Sequence, residues 1–295
     1  MAQAWPHKGG WASQEAQVQI ANKLNSGNVA LVLGAGVSFF YGLPGWFELL
    51  TNLKNKGAGH SIPEIDHYPS WAQGILDELF LGDEAEFLEA VHTGLYGPDS
   101  EALAIQSIAD DPSLRAIGTM GVGAHRGTVD TVVTFNYDSL LESYFRHHGF
   151  SVVPVISENQ PTEKADITVY HPHGFLPHPE TGFARSQDIV LAQSQYEKTI
   201  ETPWESTLEN LFATRFCIFV GLSGNDERLV ALLEKVHERN EHAKVERYWG
   251  YRLCRKPDAN VDLWDKRGVY SVEFEDLAAG INETLLNICR LAAAK

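Results

Sequence analysis

The stretch that decides the fold is Val29-Ala30-Leu31-Val32-Leu33-Gly34-Ala35-Gly36-Val37-Ser38. Its first five residues are apolar without alternation, which predicts a parallel strand buried on both faces. The glycines Gly34 and Gly36 then predict a tight turn into a helix that opens at residues 36–38. A helix start presents unpaired backbone N–H groups and the positive end of the helix dipole. The turn therefore predicts a phosphate site held by backbone.

Apolar runs and helical patterns alternate along the rest of the chain and predict a doubly wound, mostly parallel, Rossmann-like α/β sheet. Strands are predicted at residues 29–33, 131–135, 152–156, 167–170, 216–220, 248–253 and 270–274. Helical patterning without a strong strand run fills residues 45 to 128, which predicts a helical insertion after the first strand. The 295 residues, of which 44% are hydrophobic, are expected to form a single domain spanning 1–295.

Composition restricts the classes of function. The chain has 23 Lys and Arg against 39 Asp and Glu, a formal net charge of −16, which disfavours a nucleic-acid-binding surface. No apolar run approaches the roughly 20 residues needed to span a bilayer, and the start lacks the layout of a signal peptide, so we expect a cytoplasmic protein. The cysteines Cys217, Cys254 and Cys289 lie far apart in apolar contexts and predict buried thiols.

Polar motifs follow three further predicted strands. They are Thr134-Phe135-Asn136-Tyr137-Asp138, His173-Gly174 and Gly221-Leu222-Ser223-Gly224-Asn225-Asp226. The carboxyl ends of parallel strands face one crevice, so motifs up to about 190 positions apart can converge there. The sequence therefore predicts one site built from four strand ends.

Each of these residues also has a plainer explanation. Asn136 is of a type common in caps and turns, and Asp138 at a helix start can simply cap the helix. His173 can be a loop histidine whose ring bonds to backbone. Alternatively, His171, His173 and His178 can be metal ligands, because a His-x-His pair in an extended segment places both side chains on one face.

Two enzyme classes are disfavoured by the motifs themselves. The dinucleotide fingerprint of dehydrogenases requires a third glycine where this chain has Phe39, and no second strand ending in an acidic residue follows. The turn at Ser223 lacks the last glycine of a serine hydrolase's nucleophile elbow, since that position is Asn225. Only His237 and His242 follow Ser223, and both lie at the end of the next predicted helix.

Residues 34–38 with Gly42-Leu43-Pro44-Gly45-Trp46 resemble the first motif of the sirtuin (silent information regulator 2) family in residue type and spacing. Residues 134–138 are similar to its second motif, and residues 173–174 to its His-Gly after a later strand. Deacetylase sirtuins usually carry Phe-Arg where this chain has Trp46-Phe47. The form with tryptophan at this position resembles the sirtuin-like NAD hydrolases of bacterial antiphage defence. The resemblance covers residues 30 to 280 in motif order.

This resemblance implies an NAD glycohydrolase that releases nicotinamide and ADP-ribose. Asn136 would orient the water or the nicotinamide carboxamide, and His173 would accept a proton from a ribose hydroxyl or that water. Asp138 would stabilise the developing cation or fix neighbouring groups, and so is the third implied catalytic residue.

The resemblance also implies the NAD-binding residues. They are Gly34, Ala35, Gly36, Val37, Ser38, Pro44, Trp46, Phe135, Gly221, Ser223 and Asp226. Ser223 and Asp226 would contact the adenosine half of NAD, and Trp46 and Phe135 would form apolar walls at the nicotinamide end. Deacetylase sirtuins hold zinc with two cysteine pairs, and because this sequence has no such pair we expect no metal.

At the level of the cell, the resemblance implies NAD depletion in abortive infection, within a homo-oligomer or beside a partner such as an ATPase or a short Argonaute. Two other functions stay open. A non-catalytic module that senses NAD or ADP-ribose would not need Asn136 and His173 together. An NAD-dependent protein deacylase would need an acyl-lysine channel and, usually, zinc.

Overall fold

The computed structural model describes residues 14–38, 42–56, 67–97, 105–122, 129–157, 160, 164–198, 203–242 and 248–294. Within these ranges, seven strands form one sheet in which every pair of neighbours is parallel. The strands are β1 Val29–Leu33, β2 Thr131–Thr134, β3 Val152–Val155, β4 Ile167–Tyr170, β5 Phe216–Val220, β6 Gly250–Arg255 and β7 Val269–Phe274.

Helices connect and cover these strands. In chain order they are α1 Gln14–Asn25, α2 Ala35–Ser38, α3 Trp46–Lys56, α4 Tyr68–Leu79, α5 Glu84–Tyr96, α6 Ile105–Asp110, α7 Pro112–Gly121, α8 Leu140–His147, α9 Gln193–Lys198, α10 Pro203–Thr214, α11 Glu227–His242, α12 Val261–Lys266 and α13 Leu277–Ala293. None of the helices within the described ranges is long and apolar enough to cross a membrane.

The strand order is β3-β4-β2-β1-β5-β6-β7, with β1 at the centre. Leu33 is in register with Thr134 of β2 on one side and with Val220 of β5 on the other. The chain therefore leaves β1 toward one edge and later returns to pair with its opposite side, which is the switch point where open α/β sheets bind ligands. The predicted Rossmann-like α/β class is confirmed.

Helices pack on both faces of the sheet. On one face α1, α7, α8 and α13 bury a core that includes Ile20, Ile117 and Ile281. On the other face α10, α11 and α12 pack Phe212, Leu233 and Trp264 against the strands. Every residue of β1 and β5 is buried, as the unbroken apolar runs predicted.

Between β1 and β2 the described residues form helices and the loops that join them, with no strand, and the helices α3 to α7 fall into two groups. Helices α3, α4 and α5 share a separate small core built on Leu50, Trp71 and Phe87. Helices α6 and α7 instead pack on the sheet, with Ile108 and Ile117 in the main core. The remaining residues of the predicted insertion, 57–66, 98–104 and 123–128, lie outside the described residues.

Candidate active site

A cavity of about 530 Å³ opens at the carboxyl edge of the sheet. The ends of four neighbouring strands line it: β1 with Gly34 and Ala35, β2 with Phe135 and Asn136, β4 with Pro172 and His173, and β5 with residues 221–226. Its volume lies within the range of about 300–1,000 Å³ that is usual for small-molecule sites. The four motifs named from the sequence therefore meet in one concave space.

Asn136 lies two residues beyond the end of β2, and its side chain is fixed at one end. Its Nδ2 donates to the carbonyl oxygen of Gly34 at 3.1 Å and to the hydroxyl of Ser38 at 2.7 Å. A carbonyl oxygen only accepts, so the amide nitrogen must face Gly34. Its Oδ1 is buried and has no hydrogen-bond partner among the described residues. Asn136 thus keeps one acceptor that no described residue uses.

Asp138 lies behind this group and does not line the cavity. Its Oδ2 accepts from Ser38 Oγ at 2.6 Å, and its Oδ1 accepts from the Leu140 N–H at the start of α8 at 3.0 Å. Burial raises the pKa of Asp138, and these two hydrogen bonds partly oppose that rise. Asp138 therefore orders Ser38 and, through it, Asn136, and its placement supports the fixing role over direct stabilisation of a cation.

His173 is almost completely buried on the loop after β4, with 5% of its surface exposed. Its ring packs edge-on against Phe135 and Tyr196, and its Nε2 lies 3.5 Å from Oδ2 of Asp226. Burial lowers the pKa of His173. The nearby Asp226 carboxylate raises this pKa again in part, whereas the positive charge of Arg228 lowers it further. The imidazole is therefore neutral at pH 7 and able to accept a proton.

The backbone at Gly174, the residue after His173, requires a glycine. Its φ is +98°, and a Cβ at that position would lie 2.7 Å from the carbonyl oxygen of Asp188. A side chain would therefore displace the loop that carries His173.

The glycine turn after β1 differs from its sequence-based interpretation. The N–H groups of Gly34, Gly36 and Val37 already donate, to the carbonyl oxygens of Val220, Gly221 and Gly34 respectively. Helix α2 has only four residues. Hence the expectation that this turn offers several unpaired N–H groups does not hold. These N–H groups already donate hydrogen bonds to the end of β5, to the turn after it and within the β1 turn itself.

The other implied binding residues divide between the cavity and its surroundings. Trp46 lines the cavity and stacks on Tyr68 with ring centroids 6.0 Å apart. Gly221, Ser223 and Asp226 line it too. The residues that do not line it are Gly36, Val37, Ser38 and Pro44.

Several lining residues escaped the sequence analysis. Tyr196 of α9 donates from its hydroxyl to Asp226 Oδ2 at 3.0 Å, and Arg228 of α11 donates to the backbone oxygen of Tyr196. His67 and Tyr68 reach the cavity from the start of α4. No glycine, motif or periodicity marks these positions, and only the packing of helices against the crevice brings them there.

His171 forms a buried pair that sequence alone could not assign. Its Nε2 lies 2.7 Å from Glu142 Oε1, and its Nδ1 lies 3.2 Å from the backbone oxygen of Asn136. His178 instead accepts from the Glu180 N–H at 3.4 Å. The described His, Cys, Asp and Glu residues form no group of three that could hold a metal ion.

Ser223 and the cysteines have no arrangement suited to nucleophilic catalysis. The Ser223 hydroxyl accepts from the Asn225 N–H at 3.3 Å, while the ring of His173 faces Asp226 instead. The three cysteines are buried free thiols, as predicted.

Comparison with known proteins agrees with this geometry. Residues 130–270 match a family model described as the SIR2-like domain, and this match supports a sirtuin-like domain in that part of the chain. SIR2-like domains use NAD, and the match supports a sirtuin-like, NAD-related function. No curated protein matches the chain.

Proposed function

We propose that this protein is an NAD glycohydrolase that cleaves the nicotinamide–ribose bond of NAD. The observation that carries the proposal is the pairing, in one cavity, of a fixed amide whose oxygen is free, Asn136, with a buried neutral imidazole, His173. The SIR2-like domain supports NAD as the molecule that the cavity takes.

The reaction requires three things of the site. As the carbon–nitrogen bond breaks, its electron pair moves to the nicotinamide ring and the ribose becomes an oxocarbenium-like cation. A water then adds to that carbon and loses a proton, so that the products are nicotinamide, ADP-ribose and a proton. The site must hold the ribose, place the water and receive the proton.

Asn136 and His173 fit the last two requirements. The Oδ1 of Asn136 accepts a hydrogen bond from the water or from the carboxamide of nicotinamide, and its other end cannot turn away because Gly34 and Ser38 hold it. His173 accepts the proton from the water or from a ribose hydroxyl. Trp46 and Phe135 supply apolar walls beside them.

Incubation of the purified protein with NAD, followed by chromatography for free nicotinamide, tests the proposal. Asn136→Ala and His173→Ala should each lower turnover about 10²- to 10⁴-fold while NAD binding stays measurable by calorimetry. The matched controls Asn210→Ala and His242→Ala remove the same side chains from exposed positions and should leave turnover unchanged.

Other outcomes separate the alternatives. Wild-type protein that binds NAD without releasing nicotinamide would contradict the proposal and favour a sensing module. Release that depends on an added acetyl-lysine peptide would favour a deacylase. Dialysis against a chelator should leave turnover intact. Stoichiometric zinc in the purified protein, together with loss of turnover after chelation, would contradict the metal-free site that we propose.

In the cell, we propose that this activity depletes cytoplasmic NAD during phage infection, as part of a homo-oligomer or with a partner protein of ATPase or short Argonaute type. The motif resemblance alone supports this role. Expression of the wild type should protect a bacterial culture from phage with a fall in cellular NAD, and His173→Ala should do neither; protection by both would contradict it.

A further inference from the structure

We propose that Asp226 is a positioning residue for His173: together with Tyr196 it holds the imidazole and stabilises its protonated form, rather than only contacting the adenosine half of NAD. The inference rests on the proposed function, in which His173 receives a proton. It assigns to the β5 turn a part in the chemistry as well as in binding.

The carboxylate of Asp226 has a fixed orientation. Its Oδ1 accepts from the Leu229 N–H at 2.9 Å and so caps the first turn of α11. Its Oδ2 accepts from the Tyr196 hydroxyl at 3.0 Å and lies 3.5 Å from Nε2 of His173. With one oxygen held by the helix, the other must face the cavity and the histidine.

The histidine is fixed from its own side. Its backbone oxygen accepts from the Val190 N–H at 2.8 Å, and Val190 in turn accepts the Tyr137 hydroxyl at 2.7 Å. The ring lies between Phe135 and Tyr196, with centroid distances of 4.9 and 5.5 Å. This packing restricts rotation of the ring away from Asp226.

A buried base needs such a partner. An imidazole that takes a proton among aromatic walls becomes a cation with little solvent to stabilise it. A carboxylate 3.5 Å away supplies that stabilisation, in the way that a buried aspartate supports the histidine of hydrolytic triads. The substrate's proton can then move to His173 without leaving an isolated buried charge.

The other groups that face His173 do not replace this carboxylate. Burial raises the pKa of both Tyr196 and Tyr137, so these phenols stay neutral. Arg228 of α11 is a cation and opposes protonation of the ring. Tyr137 follows β2, Tyr196 lies on α9, and Arg228 lies at the start of α11. Among these groups and Asp226, Asp226 is the one that favours the protonated imidazole.

Asp226→Asn separates the two roles. Asparagine keeps an oxygen to cap α11, so we expect the fold to survive, but it removes the charge. We expect kcat to fall at least about tenfold, KM to change much less, and the acidic limb of the kcat/KM profile to move to lower pH because His173 binds its proton less tightly. A raised KM with kcat and the pH profile unchanged would overturn the proposal and leave Asp226 as an adenosine contact.

A second measurement needs no turnover. In protein with isotope-labelled histidine, the NMR titration of His173, identified by comparison with His173→Gln, should have a lower midpoint in Asp226→Asn than in the wild type. An unchanged midpoint would overturn the proposal even in an active enzyme. If wild-type protein released no nicotinamide, the proposed function would fail while the coupling of Asp226 to His173 could still be established.

Two further variants serve as a charge control and as a substitute for Asp226→Asn. Glu238→Gln removes the same charge from an exposed position on α11 and should shift neither the titration nor the pH profile. If Asp226→Asn does not fold, Asp226→Ser keeps a capping oxygen without the charge and should give the same shift. An equal shift in Glu238→Gln would mean that net charge, not the contact, sets the proton affinity of His173.

Discussion

Gly36 and Gly221 pack backbone against backbone where β1 and β5 end. A Cβ on Gly36 would lie 2.7 Å from the Cα of Gly221, and a Cβ on Gly221 would lie 2.8 Å from the backbone nitrogen of Val37. Gly221 also has a φ of +72°. The turns that follow β1 and β5 therefore pack directly on each other, and each needs a glycine because the other lies against it.

Gly36→Val should for this reason disturb folding and not only ligand binding. Overpacking against backbone costs about 1–3 kcal/mol, and backbone cannot rotate aside as a side chain can. We expect a lowered melting temperature together with weakened NAD binding. Gly45→Val is the control, since nothing lies within 4 Å of a Cβ there. An unchanged melting curve with lost NAD binding would instead favour direct approach of a phosphate to Gly36.

Ser38→Ala should show that Asn136 depends on support from behind. The Ser38 hydroxyl accepts from Asn136 and donates to Asp138, so alanine leaves both groups with one fewer partner. We expect a loss of about 1–3 kcal/mol in the free energy of unfolding. We also expect a lower kcat, because the amide nitrogen of Asn136 then keeps only its hydrogen bond to the carbonyl oxygen of Gly34. Urea unfolding and turnover measure the two effects. Ser143→Ala on α8 is the control, and equal effects in both variants would refute the supporting role.

Much of the fold was predictable because a parallel strand buried on both faces has an unbroken apolar run. Phe216–Val220 and Val29–Leu33 were predicted to the residue for that reason. Strand β6 lies at Gly250–Arg255 instead of 248–253, because its pairing with β7 continues to Arg255. Strand order could not be read, since nothing local records which strand pairs with which.

The site was predictable only where a motif follows a strand. Asn136 and His173 were found in this way, and both line the cavity. The partner of His173 was not, because Asp226 lies 53 positions away and meets it only through the sheet order. The reason for Gly36 was also missed, since a glycine that admits a phosphate and one that admits another backbone look the same in sequence.

The lowered pKa of His173 predicts a pH dependence of stability. In the unfolded chain this histidine titrates near 6.5, and in the folded protein burial holds its pKa lower. Between the two values the unfolded state binds more protons, so the free energy of unfolding falls as the pH falls below about 6.5. Above about 6.5 the stabilisation from this group is complete.

His173→Gln removes this dependence. The difference in the free energy of unfolding between wild type and variant, measured in urea from pH 7.5 to 5, should shrink as the pH falls. His242→Gln is the control at an exposed position. A difference that stays constant, or grows toward low pH, would show that His173 is not held neutral by burial.

Arg252 of β6 gives the last prediction, because it holds the β5 turn from beneath. Its guanidinium is fully buried, pairs with Asp258 at 2.6 and 3.2 Å, and donates to the backbone oxygens of Leu222 and Ser223 at 2.9 and 3.2 Å. Lysine carries a single ammonium and cannot reproduce this planar fork. In Arg252→Lys at least one buried acceptor loses its donor, which costs about 1–3 kcal/mol.

We expect this variant to melt at lower temperature and to bind NAD at least about tenfold more weakly, because the turn that carries Ser223 and Asp226 is no longer fixed. Calorimetry with NAD and thermal unfolding measure both effects. Arg255→Lys makes the same change at an exposed position on the same strand and should have neither effect. If Arg252→Lys lost stability yet bound NAD with wild-type affinity, the turn would keep its shape without the guanidinium, and Arg252 would be a structural residue only.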